Sequence, residues 1–344
     1  MNMLSAVINN LVSDLKSRQR EVLVNRFGLN SGEKKTLAEI GEKYDLTRER
    51  VRQIEEEALR TIQARLSREK EAIEEILDLI SEHLNSLGGL RQNDLFLLEI
   101  RHLLNDNRLH HWHLRFLSET AGLPLYHPLN DNFYNFWYLN EKQVELAARF
   151  ASRLENLIAD KKEETVVVGR FHDYFAKAVK ISRLPHFIAL NYLSVSKKFG
   201  TNPFGDLGLS HWEEITPKTI GGKTYLILKK HGAPLHFRDI AEAINKAGFN
   251  RMKALPQTVH NELIKDPRFV LVGRGTYGLK ERGFVPGTAK DVIFLILKEK
   301  GPLFSEEIID LISKQRFLKK NTVVLNLQNR KFFRKLEDGR YSLK

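Results

Sequence analysis

The chain has 344 residues, of which 42% are hydrophobic and 28% charged, a balance that excludes a disordered or fibrous protein and predicts two to four globular domains. No apolar run approaches the ~18 residues of a membrane span. The opening MNMLSAVINNLVSDLK lacks the basic start and long apolar core of a signal peptide, and the lack of cysteine excludes disulfides and thiolate metal sites. A cytoplasmic, nucleoid-associated protein is the expectation. The net charge of +12 is uneven: residues 217–344 hold 26 Lys and Arg against 12 Asp and Glu, leaving 29 against 31 in the first 216. A basic C-terminal third points to a polyanionic partner such as nucleic acid, with solubility alone as the bland alternative.

Leu4, Val7, Ile8, Leu11, Val12 and Leu15 form a helical stripe. Ser17 is placed to cap a second helix, RQREVLVNRF, and Gly28 to end it. Thr36, with Glu39 three residues on, has the pattern of a capping box and opens a helix to about Tyr44. Asp45-Leu46 is a turn, and Thr47 caps the next helix. On that helix Val51, Ile54, Ala58 and Ile62 share a stripe that faces the core, while Arg48, Glu49, Arg52 and Gln53 share the opposite one. Arg pairs with guanine, Gln with adenine, and Glu accepts from cytosine. The competing reading is a charged, solvated helix on any globular protein.

RFGL, residues 26–29, followed by TLAEIGEKYDLTRERVRQIEEEALR, resembles region four of the sigma-70 family over about residues 17–66. The resemblance implies that Arg48, Glu49, Arg52 and Gln53 contact bases of a −35 promoter element and that Thr47 and Arg50 lie at the DNA backbone. It further implies a second partner, the flap of the bacterial RNA polymerase β subunit, held by the preceding helices. The sequence departs from the family at Glu57, where Lys is usual, and at Glu56, where Ala is common; two carboxylates near phosphates should weaken binding.

The helix is expected to continue to about Leu87, with Leu66, Ile73, Leu77, Ile80, Leu84 and Leu87 on a heptad seam. Intramolecular packing and a homodimer through residues 66–87 are the two readings of that seam. Gly88-Gly89 is the first clear break. His110, His111 and His113 could ligate a metal, but no carboxylate or thiolate stands at a suggestive distance; surface or packing histidines are expected, with no metal and no cofactor. Phe133, Tyr134, Phe136, Trp137 and Tyr138 could stack on bases, although their near-alternating spacing fits a core strand better.

A repeat follows. Phe199, Phe269 and Phe333 are each preceded by Leu at six residues and followed by Gly at six and Leu at ten. That pattern describes a helix, a strand, a glycine-containing hairpin and a returning strand, with a fourth, degraded copy from Leu123 through Leu129 to Leu139. Within it, GKTYLILKKHGAPLHFRDIAEAINKAG and DPRFVLVGRGTYGL resemble a HARE-HTH domain over about residues 217–283, a family that includes the delta subunit of bacterial RNA polymerase. GPLFSEEIIDLI and DGRYSL repeat its opening and ending in the last unit.

The expected fold is therefore mainly α with small β-wings, a helix-turn-helix module followed by serial winged-helix units. The expected domains are 1–67 (sigma region 4-like), 68–92 (connecting helix), 93–142 (degraded winged unit), 143–215 (winged-helix-like unit), 217–283 (HARE-HTH-like) and 287–344 (C-terminal winged helix). Candidate DNA contacts in the basic units are Arg251, Lys253, Gln257, His260 and Arg274 in the third, and Lys319, Lys320, Asn321, Arg330, Lys331 and Arg340 in the fourth. Winged helices also bind proteins, which is the competing reading for each. No phosphate-binding loop, HExxH, GxSxG or catalytic carboxylate pair is legible, so no enzymatic activity is expected. The function expected is a bacterial transcription regulator resembling a partial sigma factor, which binds promoter-like double-stranded DNA and RNA polymerase. The alternatives are a polymerase-binding scaffold without sequence readout and a DNA-binding dimer.

Overall fold

The computed structural model describes residues 4–30, 32–66, 70–249, 252–315 and 320–344. The chain divides into two units, 1–199 and 200–344. Helices dominate, and the strands form only small antiparallel sheets.

The first unit begins with α1 (Leu4–Ser13), α2 (Ser17–Phe27), α3 (Leu37–Tyr44) and α4 (Arg48–Leu66). Lys16, not Ser17, precedes α2; the serine is already helical, so its hydroxyl does not cap. Gly28 ends α2 in the left-handed conformation, φ +58°, as its spacing implied. The apolar stripe of α1 is buried at Leu4, Ile8, Leu11 and Val12, and that of α4 at Val51, Ile54, Ala58 and Ile62.

The continuous helix expected to Leu87 is described as two, α4 and α5 (Lys70–Ser86), with residues 67–69 outside the described residues. Ile73, Ile80 and Leu84 are buried in one core with Leu4, Ile8, Leu23 and Phe27, and Leu66 and Leu77 pack against it. The seam is thus packed from within the chain at these positions, as the intramolecular reading expects.

Nor is α5 a connector. It is the first helix of a winged unit completed by β1 (Leu90–Gln92), α6 (Asn93–Leu103), α7 (His111–Ala121), β2 (Leu125–His127) and β3 (Phe136–Tyr138). The sheet order is β1-β3-β2, and all three residues of the central strand are buried. Phe136, Trp137 and Tyr138 are therefore core, and their rings face no solvent on which a base could stack. The boundary expected at 92/93 falls inside this unit, between its first strand and α6.

Next come α8 (Glu141–Ile158), α9 (Phe171–Ser182) and α10 (His186–Val195). They pack on one another through Phe150 and Phe175, whose rings meet edge to face at 5.8 Å. Asn191 of α10 donates to the carbonyls of Leu87 and Leu90, and Tyr192 to that of Gly88, at 2.5–2.8 Å. These bonds satisfy backbone groups at the start of β1 and fasten α10 to the first winged unit. The unit expected at 143–215 is thereby divided: its helices stay with the first unit, while the cut falls at Phe199, where the hairpin of β4 (Phe199–Thr201) and β5 (Leu207–Leu209) begins.

In the second unit, residues 200–217 lie along α11 (Ile220–His231), which is buried from Gly221 to Leu228. Lys230 pairs with Asp206 at 2.7 Å and Arg268 with Glu213 at 2.8 Å, holding this segment in place. Then follow β6 (Leu235–His236), α12 (Phe237–Ala247), α13 (Pro256–Lys265), β7 (Phe269–Gly273) and β8 (Thr276–Leu279), in sheet order β6-β8-β7. The last unit, α14 (Ala289–Lys300), α15 (Ser305–Gln315), α16 (Lys320–Leu327), β9 (Phe333–Lys335) and β10 (Tyr341–Leu343), has its own core around Ile293, Ile308 and Phe333. Phe269 pairs with Leu279 and Phe333 with Leu343, so the Phe-to-Leu repeat marks the two ends of a hairpin. A second repeat escaped the sequence reading: Leu90 pairs with Tyr138, Leu235 with Tyr277 and Leu303 with Tyr341. The three winged units share one cross-strand rung.

Candidate nucleic-acid interface

The geometry of α3 and α4 follows from local chemistry. Thr36 Oγ1 accepts from the Glu39 amide at 3.2 Å and Glu39 accepts from the Thr36 amide at 2.6 Å, the reciprocal capping box. Asp45 ends α3 in the left-handed conformation, and the Leu46 amide donates to the Gly41 carbonyl at 2.9 Å. Thr47 Oγ1 accepts from the Arg50 amide at 3.2 Å and so caps α4. This turn leaves one face of the first half of α4 to solvent, while Val51 and Ile54 on its other face are buried.

Arg48, Glu49, Arg50, Arg52 and Gln53 are all exposed there. Arg50 donates to Gln53 at 3.1 Å. Arg52 is clasped: two of its nitrogens donate to Glu49, at 2.9 and 2.6 Å, and a third to Glu56. Its hydrogen bonds to Arg52 hold the Glu49 carboxyl below the usual range. Arg48 makes no ion pair among the described residues. Glu55 is half-buried against Arg26, 3.1 Å away, with burial pushing its carboxyl pKa up. Glu57 reaches Gln19 at 3.5 Å. Of the carboxylates that depart from the family pattern, Glu56 alone touches a reading residue. Glu56→Gln should release one arm of Arg52 and remove a charge that repels phosphate. We expect duplex binding by this variant to tighten several-fold at low salt, the gain shrinking as salt screens it; equal or weaker binding in a titration would show that Glu56 does not restrain Arg52.

The second half of α4 is held by the first winged unit. Gln63 donates to the Glu119 carbonyl at 3.3 Å, and Phe116 of α7 meets Phe27 of α2 edge to face at 5.2 Å. The third helix of a helix-turn-helix or winged fold is ordinarily its reading helix. Here α7 buries Leu114, Phe116 and Leu117 against the module before it, so it braces α4 instead of facing solvent. The same core takes in the apolar residues of α1 and α2.

The histidines are part of that brace. His110 Nε2 bonds the Leu29 carbonyl at 3.2 Å, His113 Nδ1 accepts from the His110 amide at 3.2 Å, and His111 Nδ1 meets Asn93 at 2.8 Å. Among the described residues, no group of three or more His, Asp or Glu side chains could hold a metal ion. Burial pushes His111 and His113 down to about 4, from an ordinary 6.5. A pKa lowered by folding means the unfolded chain takes up protons first, so stability is full above pH ~6.5 and falls as pH drops toward 4. Denaturation midpoints should decline already between pH 6.5 and 5, above the carboxylate range, and His113→Gln should flatten that slope. A flat profile in that window would contradict the assignment.

In the second unit the candidate contacts separate. Lys253 is exposed in the loop before α13, Gln257 in its first turn, and Arg274 in the wing turn between β7 and β8. His260 is not a free reader: half-buried, its ring lies 4.7 Å from Phe237 and 5.9 Å from Tyr277. Lys320 and Asn321 open α16, and Arg330 and Lys331 stand exposed before β9. Arg340 is held by Asp338 at 2.6 Å, so its charge is locally neutralised. Arg251 and Lys319 lie outside the described residues. Arg334 and Lys335 are also exposed, on β9.

A capped helix pair that presents one polar, solvent-facing half-helix defines a helix-turn-helix module of the DNA-binding class. Residues 11–64 match the family described as Sigma-70, region 4, and residues 219–281 match HARE-HTH, the helix-turn-helix domain described for ASXL and restriction endonucleases. The chain thus joins a sigma region 4 domain to a HARE-HTH domain, and its first domain has a sigma-factor-like DNA-binding character.

Among curated relatives, the chain is similar to RNA polymerase sigma-C factor of Nostoc sp., 45% identical over 81 residues, 24% of this chain and 17% of that protein. It is also similar to RNA polymerase sigma factor SigA of Microcystis aeruginosa, 48% identical over 61 residues, 18% of this chain and 15% of that protein. SigA of Clostridium acetobutylicum is 43% identical over 60 residues, 17% of this chain and 16% of that protein. The chain spans less than a fifth of the length of each of these relatives. No helix among the described residues is long and apolar enough to cross a membrane.

Proposed function

We propose that this protein is a non-catalytic transcription regulator that recognises a −35-like promoter element through the first half of α4 and associates with RNA polymerase. The observation that carries the reading is the exposed set Arg48, Glu49, Arg52 and Gln53, presented by a capped turn and braced from behind by α7. Thr47 and Arg50 flank the set, where phosphates would lie. The similarity to proteins named as RNA polymerase sigma factors supports polymerase as the second partner. The basic units, with Lys253, Gln257 and Arg274 in one and Lys320, Arg330 and Lys331 in the other, add phosphate contacts that strengthen binding without reading sequence. One observation favours a second reading, a polymerase-binding scaffold with little readout: Arg52 is already satisfied by Glu49 and Glu56.

Selection from a random duplex library, with and without core polymerase, separates the two. Enrichment of one element in either arm, lost with Arg48→Ala and Arg52→Ala, supports readout, each bidentate contact being worth about 1–3 kcal/mol of discrimination. No enrichment in either arm, with polymerase capture that survives nuclease and both substitutions, leaves the scaffold.

A further inference from the structure

We propose that the ring row His236, Phe237 and His260 of the third unit is a seat for an unpaired base, so that this unit binds single-stranded nucleic acid. Three elements converge there. His236 caps α12, its Nδ1 accepting the Arg238 amide at 3.3 Å, which fixes the ring. The wing turn closes on it: the Phe237 amide donates to the Gly275 carbonyl at 2.9 Å, and a Cβ on Gly275 (φ +66°) would stand 2.6 Å from His236 Nε2. His260 arrives from α13.

The rings follow one another at 4.5 Å and 36°, then 4.7 Å and 38°, with buried Tyr277 edge-on behind His260 at 5.9 Å. His236, Phe237 and His260 are all half-buried, and Phe237 packs against the core.

Hydrogen-bonding and cationic groups border that row. The Arg238 guanidinium lies 5.8 Å from the Phe237 ring, Arg274 precedes Gly275, and Gln257 sits one helical turn before His260. Arg238 and Arg274 are exposed and make no ion pair among the described residues, whereas Lys230 and Arg268 of the same unit are spent on Asp206, Glu213 and Asp266. Asp239 is the exposed carboxylate beside Arg238. Residues 217–283 hold 13 Lys and Arg against 5 Asp and Glu, which suits a phosphodiester strand.

An aromatic row with cations at its edge takes a base by stacking, and only a base freed from a duplex offers its face. The feature belongs to this unit alone among the three that share the Leu-to-Tyr rung: the residues at the places of His236 and Phe237 are Arg91 and Gln92 in the first and Phe304 and Ser305 in the last.

The test is fluorescence anisotropy of the full chain with labelled single-stranded DNA, single-stranded RNA and a duplex of the same sequence. Single strands should bind more tightly than duplex in the presence of the Arg48→Ala/Arg52→Ala pair, which removes the α4 reading surface; the DNA and RNA arms identify the strand. His260→Ala should weaken single-strand binding about five- to 150-fold, and Arg274→Ala should lower the salt slope by ~0.7. Phe237→Tyr should keep binding and Phe237→Leu, which retains bulk without a ring, should lose it, with circular dichroism confirming that both fold. Equal affinity for duplex, loss of single-strand binding with the α4 pair, or His260→Ala and Phe237→Leu each within twofold of the parent overturns the proposal. So does a ring row that binds a protein but no strand. None of these outcomes touches the reading of α4, which stands or falls on the duplex selection.

Discussion

Phe116→Ala is expected to destabilise the helix-turn-helix, although the residue lies some fifty positions beyond it in another unit of the sequence. Phe116 is 1% exposed and meets Phe27 edge to face. Removing a buried Phe costs about 3–5 kcal/mol, of which the aromatic pair accounts for ~0.5–1.5 kcal/mol. The consequence spreads because one core joins α1, α2, α4, α5, α6, α7 and β3, while the helix-turn-helix has as its own only the small cluster of Val22, Ile40, Val51 and Ile54. Chemical denaturation of the variant, followed by duplex binding in a mild denaturant, should show both lost together and in one transition. Two separable transitions, with the DNA-binding one unmoved, would mean that the module is self-supporting.

The second large effect is expected at Gly41. A Cβ there would stand 2.5 Å from the carbonyl oxygen of Leu46, inside any allowed contact. That carbonyl belongs to the turn, with Asp45 left-handed on one side and the Leu46 amide already bonded back to Gly41 on the other, so neither partner can yield alone. Gly41→Ala should cost at least the upper end of the ~1–3 kcal/mol typical of overpacking and should turn α4 relative to α3. Gly32→Ala is the control: its φ is +74° but a Cβ there meets nothing within 4 Å, so only local backbone strain of ~1–2 kcal/mol is at stake. If thermal unfolding shows the two variants equally stable, the turn is looser than its geometry implies.

These two residues also divide what the sequence discloses from what it conceals. The turn and its caps were legible because each signal is local: Thr36 with Glu39, Thr47 with Arg50, Gly28 at a helix end. The partner of α4 was hidden because α7 starts without a conventional cap, its first turn being closed by His110 and His113, and because HHWH draws attention to ligands when its neighbours Leu114 and Leu117 bear the packing. β1 was hidden by its length, three residues after Gly88-Gly89. A winged unit whose first strand is that short is recognisable only from the pairing of Leu90 with Tyr138, a contact across 48 positions. The reading face of α4 was legible residue by residue, but the clasp on Arg52 was not, since helical spacing places Glu49, Arg52 and Glu56 together without saying which carboxylate the guanidinium takes. In the second unit, His260 was read as a contact from its place on a helix, and only the wing closing over His236 shows that its ring has neighbours.

The shared rung has one more consequence. The returning strand that it holds is joined to its hairpin partner by a wing of unequal size: eight residues separate β2 from β3, two separate β7 from β8, and five separate β9 from β10. The Tyr of the returning strand nevertheless meets the same Leu in each. Register is therefore written in the strands and their distant partner, and not in the length of the tip. The three tips differ in length while the rung beneath them keeps its pairing. Such a chain can change what its hairpins touch without renegotiating how they fold.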